Sequence, residues 1–360
     1  MKLKQVGEFD LIEMMAGVFR RDLPNRPAHG ALTSRLSLGI GDDAAAWKID
    51  GDRYTLATTD AMIEGIHFTR ETTGWYDLGW KAMASNISDV AGMGGVPAFA
   101  LAVLGAPGDL DTDDVLKLCQ GMADVAEQFG TAIVGGDTVT SPVTLISITL
   151  VGTAEPAAAS DRPSAGPRVL SRSAAREGDL IAVTGALGSS AGGLELLLGG
   201  ASASDPRLSP LVDAHRRPLP RVREGQLLVS AGVRCGMDLS DGLAGDLLRI
   251  CRASNVAVTI DSEALPIAPI LRETFGDRAI DLALSGGEDY ELVVTAPAIV
   301  MDEARRALGG TRTPLTVVGS VTEASPGRPP VLLASRDGTL SPPARSGWEH
   351  FTAGSEVERP

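Results

Sequence analysis

The sequence predicts an α+β protein made of two sandwich-like halves. Strand-like segments rich in β-branched residues alternate with helix-like segments in a mixed order, which favours α+β sandwiches over a doubly wound Rossmann sheet. A stretch rich in Pro, Ala and Ser, residues 155–170, separates the halves. The chain has 360 residues, of which 44% are hydrophobic, so each half can bury its own core. We therefore expect domains at residues 1–154 and 171–360, joined by that linker or loop.

The first half contains strand and helix signals in alternation. The segment YTLATTD is expected to be a strand that ends at Asp60, and the segment 77–95 a helix that stops at its glycines. A second helix is expected at 111–130, because acidic residues stand in its first turn and Gly130 at its end. Three further strands are expected, at 98–105, 131–138 and 143–154.

The second half repeats this logic without a short-period repeat. Helices are expected at 188–200, 221–232 and 243–255, and strands at 179–185, 233–242, 256–263, 290–297 and 315–323. The segment 201–210 is expected to be a loop.

Charge and targeting signals limit the possible functions. The net charge is −14 and no run of Lys or Arg occurs, which argues against nucleic-acid binding. An acidic protein also repels phosphates unless divalent ions intervene. The N-terminus has no signal-peptide pattern and no apolar run is long enough to span a bilayer, so we expect a cytoplasmic protein without membrane contact. The three scattered cysteines fit buried small residues better than a disulfide framework or a zinc site.

Two neighbouring carboxylates, Asp42 and Asp43 in GIGDDAAAW, raise the question of what neutralises them. Like charges at this distance repel, and burial raises their pKa values further. Carboxylates recur in glycine turns and at expected strand ends elsewhere in the chain: Asp60, Asp89, Asp137, Asp238, Asp241, Glu288 and Asp289. Asn86 and Asp89 lie one helical turn apart. Hard oxygen ligands suit magnesium, which shares its coordination shell with water and phosphates.

Each of these motifs also has a plain structural interpretation. GGD is most often a tight turn, and DLSDG fits a helix cap. Joint occurrence favours a shared metal site, because charged residues in apolar, glycine-rich segments need partners. From the residues alone, His67 fits a hydrogen-bonded, semi-buried side chain, Arg172 either a phosphate contact or a surface residue, and Trp348 either a hydrophobic plug or a stacking face.

Several known nucleotide-site motifs are missing. The chain has no GK dipeptide, which excludes a Walker A loop. The segment VTGALGSSAGG fits neither the dinucleotide fingerprint nor a nucleophile elbow, and the protein-kinase motif set does not occur. Any bound nucleotide would therefore be held mostly by metal ions and glycine-turn amides.

The motifs together resemble a known family. GEFDLI, GIGDDAA, TTDAMIEGIHF, NISDVAGMGG, GGDT, RSAAREGDLIAVTG, DLSDGL, GGEDYEL and GWEHF occur in the order typical of thiamine-monophosphate kinases, from Gly7 to Phe351. That family belongs to the aminoimidazole-ribonucleotide synthetase superfamily. The resemblance implies an N-terminal α/β sandwich with a mixed sheet that dimerises through its strands, and a C-terminal α+β sandwich. It also implies magnesium-assisted, ATP-dependent phosphorylation of thiamine monophosphate to thiamine diphosphate.

The resemblance also implies roles for individual residues. It implies that several magnesium ions are held by Asp42, Asp43, Thr58, Thr59, Asp60, Asp89, Asp137, Asp238 and Asp241. It implies ATP contacts at Gly135, Gly136, Arg172 and Ser240, and thiamine monophosphate contacts at His67, Glu288 and Trp348. It requires no catalytic side chain, since the transfer is a direct in-line step. The chain departs from the family's usual pattern mainly in length, because the segment 155–170 and the loop 199–220 are longer than usual.

Two other functions stay open at this point. One is a related ATP-dependent synthetase that activates an amide or selenide, although the first 40 residues contain no Cys for selenide chemistry. The other is a non-catalytic metal- or nucleotide-binding regulator, which would have no need to keep every ligand motif. ATP binding without any release of ADP would favour the regulator.

Overall fold

A computed structural model describes residues 3–20, 35–50, 53–154, 168–200, 205–345 and 347–350. Most of the expected linker, from 155 to 167, lies outside these residues, as does Phe351. The described chain folds into two halves, each formed by one mixed sheet and the helices packed on it. This arrangement confirms the predicted α+β class.

Among the residues described, the N-terminal half has a six-stranded sheet and three α-helices. The helices are α1 (Glu8–Arg20), α2 (Trp75–Gly92) and α3 (Thr112–Gln128), and the strands are β1 (Leu36–Leu38), β2 (Ala45–Asp50), β3 (Arg53–Ile63), β4 (Val96–Ala106), β5 (Ala132–Thr140) and β6 (Leu145–Ala154). The strand order is β1-β2-β3-β6-β4-β5. All neighbours are antiparallel except β4 and β5, which are parallel.

Helix α2 is the central element of this half. It is buried along most of its length between the sheet and α3, and its Leu78, Met83 and Ile87 are fully buried. The helices approach closely because Gly79 of α2 and Gly121 of α3 leave no room for a side chain at their crossing. This packing fixes the end of α2 relative to β3, where the predicted carboxylates lie.

The C-terminal half is a seven-stranded sheet with seven helices among the residues described. The helices are α4 (Ser189–Leu198), α5 (Ser209–Arg216), α6 (Val222–Ser230), α7 (Leu243–Ser254), α8 (Pro269–Phe275), α9 (Arg278–Ser285) and α10 (Ala298–Leu308). The strands are β7 (Leu180–Thr184), β8 (Cys235–Asp238), β9 (Val256–Asp261), β10 (Leu292–Ala296), β11 (Leu315–Glu323), β12 (Val331–Ala334) and β13 (Leu340–Ser341). The strand order is β13-β12-β9-β11-β7-β10-β8.

The second sheet is covered by apolar contacts on both faces. Ile181 and Val183 of β7 pack in one cluster with α7 and α9, whereas Ala182 packs in another with α6 and α10. Strands buried on both faces carry nearly continuous apolar runs, which explains the sequences LIAVT and LVVTA. Cys235 and Cys251 are buried in the first cluster as small apolar side chains, as expected, whereas Cys119 on α3 is exposed, contrary to the expectation.

Two sequence predictions about local structure are wrong. Strand β3 does not end at Asp60 but continues to Ile63, because its whole length pairs with β6. The expected long loop 199–220 contains α5, which begins next to a proline and buries Leu211, Val212 and His215. So short a helix is stabilised by its packing on α4 rather than by its own sequence. In the described part of the chain, no helix is both long and apolar enough to cross a bilayer.

Candidate functional site

The two halves meet along α2, and carboxylates form the contact at its C-terminal end. The backbone N–H of Asp238 donates to Asp43 Oδ2 at 3.3 Å, and Ser88 Oγ donates to Asp238 Oδ2 at 2.6 Å. Gly92 ends α2 at this point, and a Cβ there would collide with Asp43 and Asp238. Asp43 comes from the N-terminal half and Asp238 from β8, so the site is built across the junction.

A cavity of about 760 Å³ opens beside this junction. Its size is that of an ordinary small-molecule site. Ten of the residues predicted from sequence line it: Asp42, Asp43, Thr58, Thr59, Asp60, Asp89, Arg172, Ser240, Asp238 and Asp241. Three acidic residues of α1, which sequence reasoning missed, also line it: Glu8, Asp10 and Glu13. The scattered acidic motifs therefore share one place.

Strand β3 and helix α2 hold two of the carboxylates. Thr58 Oγ1 donates to Asp89 Oδ2 at 2.6 Å, and the backbone N–H of Asp60 donates to Asn86 Oδ1 at 3.0 Å. Thr58 and Asp60 are two residues apart in the strand and share a face, while Asn86 and Asp89 are one helical turn apart. The helical spacing seen in the sequence thus brings Asn86 and Asp89 to the same strand.

The electrostatic environment of these carboxylates is unfavourable to their charge. Burial, together with repulsion from Asp43, raises the pKa of Asp42 to about 6. Desolvation is the largest cause that raises the pKa of Asp60, and repulsion from neighbouring carboxylates is the next. The side chain of Asp60 is nevertheless open to the cavity. The same causes raise the pKa values of Asp89 and Asp238 well above the ordinary range. A bound cation would relieve this repulsion.

Two arginines supply part of the compensating charge. Arg172 Nε donates to Asp43 Oδ1 at 3.0 Å, and the backbone N–H of Arg172 donates to Asp42 Oδ1 at 3.2 Å. Arg249 of α7 forms ion pairs with Asp241 and with the buried Asp246. Sequence reasoning missed Arg249; its signal is the spacing of three from Asp246 on one helix face.

The donor set fits a hard divalent cation that is shared with phosphate. In the described ranges, no group of three or more His, Cys, Asp or Glu side chains is arranged to hold an ion alone. Magnesium commonly takes one or two carboxylates and completes its shell with water and substrate phosphates. Buried, mutually repelling carboxylate oxygens beside an open cavity meet that requirement.

Six predicted residues are not part of the cavity lining, and three of them, all predicted metal or ATP contacts, lie on another part of the sheet. Gly135, Gly136 and Asp137 are on the exposed strand β5, and the register places Asp137 three strands from β3, roughly 14 Å across the sheet. Asp137 Oδ1 accepts from the N–H of Thr138 at 2.8 Å. The roles of these three residues stay predictions.

The predicted substrate contacts gather beside the cavity. The backbone N–H of Ile63 donates to His67 Nδ1 at 3.1 Å, and His67 Nε2 lies 3.4 Å from His350 Nε2. The ring centroids of Trp348 and His350 are 5.8 Å apart in an edge-to-face arrangement. Burial and the neighbouring His350 lower the pKa of His67, which favours its neutral form. Sequence reasoning missed His350, which stands two positions after Trp348.

Glu288 joins this aromatic group to the acidic cluster. Its backbone N–H donates to the carbonyl of Ser240 at 2.8 Å, and the backbone N–H of Trp348 donates to the carbonyl of Asp241 at 3.1 Å. The neighbouring Asp289 accepts from the N–H groups of Gly188 and Ser190, so it caps α4. Asp289 therefore has the structural role of a helix cap.

A buried lysine, Lys81, and a buried histidine, His215, contact the carboxylate of Glu288. Lys81 Nζ is 2.7 Å from Glu288 Oε2, and His215 Nδ1 is 3.4 Å from the same oxygen. Burial, together with the charge of Lys81, lowers the pKa of His215 to about 3, so this imidazole is neutral. Neither Lys81 nor His215 was predicted from the sequence. A lysine inside an apolar helix pattern looks like an ordinary surface residue.

Comparison with protein families identifies both halves. Residues 41–154 match the model of AIR synthase related protein, N-terminal domain, and residues 176–329 match that of AIR synthase related protein, C-terminal domain. Residues from both matched domains line the junction cavity.

Individual proteins match over most of the chain. The thiamine-monophosphate kinase of Synechococcus elongatus is 36% identical over 318 residues, which cover 87% of this chain and 91% of the relative. That of Bacillus subtilis is 32% identical over 352 residues, 96% of this chain and 100% of the relative. A solved structure of AaThiL complexed with AMPPCP and TMP is 32% identical, with a TM-score of 0.79, covering 98% of this chain and 99% of the other.

The buried His215 predicts a pH dependence of stability. A histidine whose folded pKa is lowered to about 3 stays neutral in the folded protein, while the unfolded chain gains a proton as the pH falls through about 6.5. We expect the free energy of unfolding to fall by about 1 kcal/mol from this group between pH 7.5 and 5.5. Urea unfolding of the wild type and of His215→Gln at both pH values measures it.

The variant is the control for every other titrating group. Lys81, Glu288 and Arg216 also act electrostatically on His215, and all three are present in both proteins. The difference between the two proteins therefore isolates the imidazole. Equal pH slopes for the wild type and His215→Gln would contradict a neutral His215 in the folded protein.

Proposed function

The chain belongs to the thiamine-monophosphate kinase family of AIR synthase related proteins, and from this premise we propose that it transfers the γ-phosphoryl group of ATP to thiamine monophosphate in a magnesium-assisted, in-line step. Family membership makes the chain an ATP-dependent kinase. The product is thiamine diphosphate.

One observation carries the proposal: carboxylates from both halves converge on a single cavity with two paired arginines. Such an acidic site suits a phosphate only when cations accompany it. A relative with 32% identity over nearly the whole chain was solved with AMPPCP, an ATP analogue, and TMP. Both ligands are those that this reaction requires.

The acceptor needs little activation in this reaction. A phosphate monoester has a second pKa of about 6, so its oxygen is already anionic near neutral pH. No side chain has to act as general base, which agrees with a site made of carboxylates, threonines and arginines. The work of the protein is to bring two polyanions together and hold them in line.

The residues that would hold magnesium are those whose carboxylate or hydroxyl oxygens line the cavity: Asp42, Asp43, Thr58, Thr59, Asp60, Asp89, Asp238 and Asp241. When bound, magnesium neutralises phosphate charge and aligns the attacking and leaving oxygens. Arg172 and Ser240 line the same cavity and would contact the phosphates of ATP. Arg172 offers its guanidinium for charge-assisted hydrogen bonds.

The aromatic group beside the cavity suits the rest of the substrate. Trp348 is 38% exposed and offers a ring face, while His67 presents a neutral imidazole. Burial opposes the charge of Glu288, but Lys81, His215 and His67 together outweigh it and lower the pKa of Glu288, with Lys81 first among them. An anionic carboxylate beside aromatic rings fits a flat, cationic heteroaromatic ring such as the thiazolium of thiamine.

We further propose that the chain forms a homodimer through β5 and the exposed face of β4. All nine residues of β5 are exposed, and apolar side chains such as Phe99, Leu101 and Val134 face outward. A long apolar edge strand is a template for pairing with another chain. A second copy offers the same surface, as a two-fold interface requires.

The direct test of the function is a product assay. Purified protein is incubated with ATP and magnesium, with or without thiamine monophosphate, and products are separated by chromatography. We expect ADP and thiamine diphosphate in equal amounts only when thiamine monophosphate and magnesium are both present. ATP binding without product would contradict the proposal and favour a related synthetase or a regulator.

Asp43→Asn tests the role of the carboxylate cluster. It removes one anionic donor at the junction without changing side-chain size, so we expect kcat/KM to fall by about 100-fold or more and the magnesium requirement to rise. Asp114→Asn, which breaks a surface ion pair with Lys117, is the matched control and is expected to stay within about twofold. A normal rate for Asp43→Asn at low magnesium would refute this role.

Val134→Glu tests the dimer. A charge in the middle of the exposed strand β5 opposes burial against a second copy, so light scattering at micromolar concentration should show a dimer for the wild type and a monomer for the variant. Ile299→Glu, on the far more exposed Ile299 of α10, is the control and should remain dimeric. A monomeric wild type would overturn this interface.

A further inference from the structure

The side chain of Lys81 is only 1% exposed, although it carries a charge. It stands on α2 among the fully buried Leu78, Ala82 and Met83. An ammonium group in such a place is costly unless it is paired and hydrogen-bonded. A charged residue at this buried position of α2 points to a task outside the core.

The partners of Lys81 come from the other half of the chain. Its Nζ lies 2.7 Å from Glu288 Oε2 and 3.4 Å from both ring nitrogens of His215, and Ser190 Oγ lies 3.2 Å from His215 Nδ1. His215 is neutral, so the charge of Lys81 is balanced by Glu288. Lys81 therefore reaches across the domain junction to one carboxylate.

Glu288 is held in an unusual backbone conformation. Its φ is +67°, a left-handed value that non-glycine residues rarely adopt, and its N–H is fixed to the carbonyl of Ser240. Its side chain is 27% exposed, so it contacts Lys81 while remaining open to the site. A strained backbone, a fixed N–H and a buried cation together determine where this carboxylate lies.

The surroundings of Glu288 would otherwise remove its charge. Burial acts to raise its pKa, and Lys81 is the first of the groups that lower it. Without the ammonium, the carboxyl group would face a desolvated pocket near the acidic cluster and would gain a proton or turn away. Its attraction for a cationic ring would then be lost.

We propose that Lys81 is a positioning residue for the substrate: it holds the Glu288 carboxylate ionised and oriented toward the cationic ring of thiamine monophosphate. This inference rests on the proposed function and adds a residue that never touches the reacting phosphates. It predicts an effect on recognition of thiamine monophosphate and none on recognition of ATP.

A second ion pair at the same junction separates this role from simple adhesion between the halves. Asp77 lies one helical turn before Lys81 on α2, and its Oδ1 is 2.5 Å from Nε of Arg217. This pair also joins α2 to the region at the end of α5 but does not involve Glu288. Asp77→Asn is therefore a matched control for loss of an ion pair between the halves.

The experiment compares Lys81→Met, Asp77→Asn and Glu288→Gln in the full chain. The measurements are kcat, the KM for each substrate, calorimetric binding of thiamine monophosphate without ATP, and the melting temperature. For Lys81→Met we expect about tenfold or greater weakening of thiamine monophosphate, in KM and in Kd, with the KM for ATP within about twofold. Asp77→Asn should bind both substrates within about twofold of the wild type.

The double variant Lys81→Met with Glu288→Gln tests whether Lys81 acts through Glu288. We expect it to bind thiamine monophosphate no more weakly than Glu288→Gln alone, because the two residues act as one unit. Additive losses would overturn the proposal, as would a Lys81→Met variant that binds normally or loses both substrates equally. A wild type that neither binds nor phosphorylates thiamine monophosphate would instead refute the proposed function.

A charge-retaining variant covers the case in which Lys81→Met does not fold. Lys81→Arg keeps a buried cation beside Glu288, so we expect thiamine monophosphate to bind within about threefold of the wild type while Glu288→Gln binds about tenfold more weakly. Lys81→Arg that binds as weakly as Glu288→Gln would overturn the proposal.

Discussion

Burial of several like charges at the junction of two sheets is the constraint on which the site depends. Asp43 and Asp238 come from different halves and touch through a backbone N–H, with Gly92 fitted against both. Burial and repulsion from the other carboxylates raise the pKa of the neighbouring Asp89. This repulsion is tolerated because Arg172 pairs with Asp43 and because the adjoining cavity admits a cation. The chemistry proposed for the cluster follows from its electrostatics, because an acidic site accepts phosphate only together with positive charge.

Helix α2 connects the two ends of the site. Asp89 lies at the carboxylate end and Lys81 eight residues earlier, about 12 Å along the helix axis, beneath Glu288. The close packing of α2 on α3 keeps this spacing constant. One rigid element therefore places both the donors proposed to bind phosphate and the support of the carboxylate proposed to bind the ring. This arrangement suits a substrate with an anion at one end and a cation at the other.

Much of the candidate site could be predicted from the sequence, because glycine-flanked carboxylates in apolar segments carry a strong local signal. Most of the described strands and half of the described α-helices were also predicted, from alternation, capping and glycine stops. The extent of β3 beyond Asp60 was not, since pairing with β6 determines it. Helix α5 was missed because its stability comes from packing rather than from its eight residues.

The partners of the site residues were the least predictable feature. Lys81 and His215 act through Glu288, which is far away in the chain, and nothing in their local sequence marks them. Asp137 is the opposite case. Its GGD motif is easy to recognise in the sequence, but β5 holds Asp137 three strands away from β3. Motifs in the sequence identify chemistry, whereas only the fold determines which of them meet.

Binding of an ATP analogue with and without magnesium tests the central claim most directly. AMPPCP is titrated calorimetrically into the purified protein in magnesium buffer and in EDTA. If cations must offset the carboxylate cluster before a triphosphate enters, affinity in EDTA should be weaker by on the order of 100-fold. Equal affinity in the two buffers would show that the protein alone accommodates the phosphates, and would contradict the account.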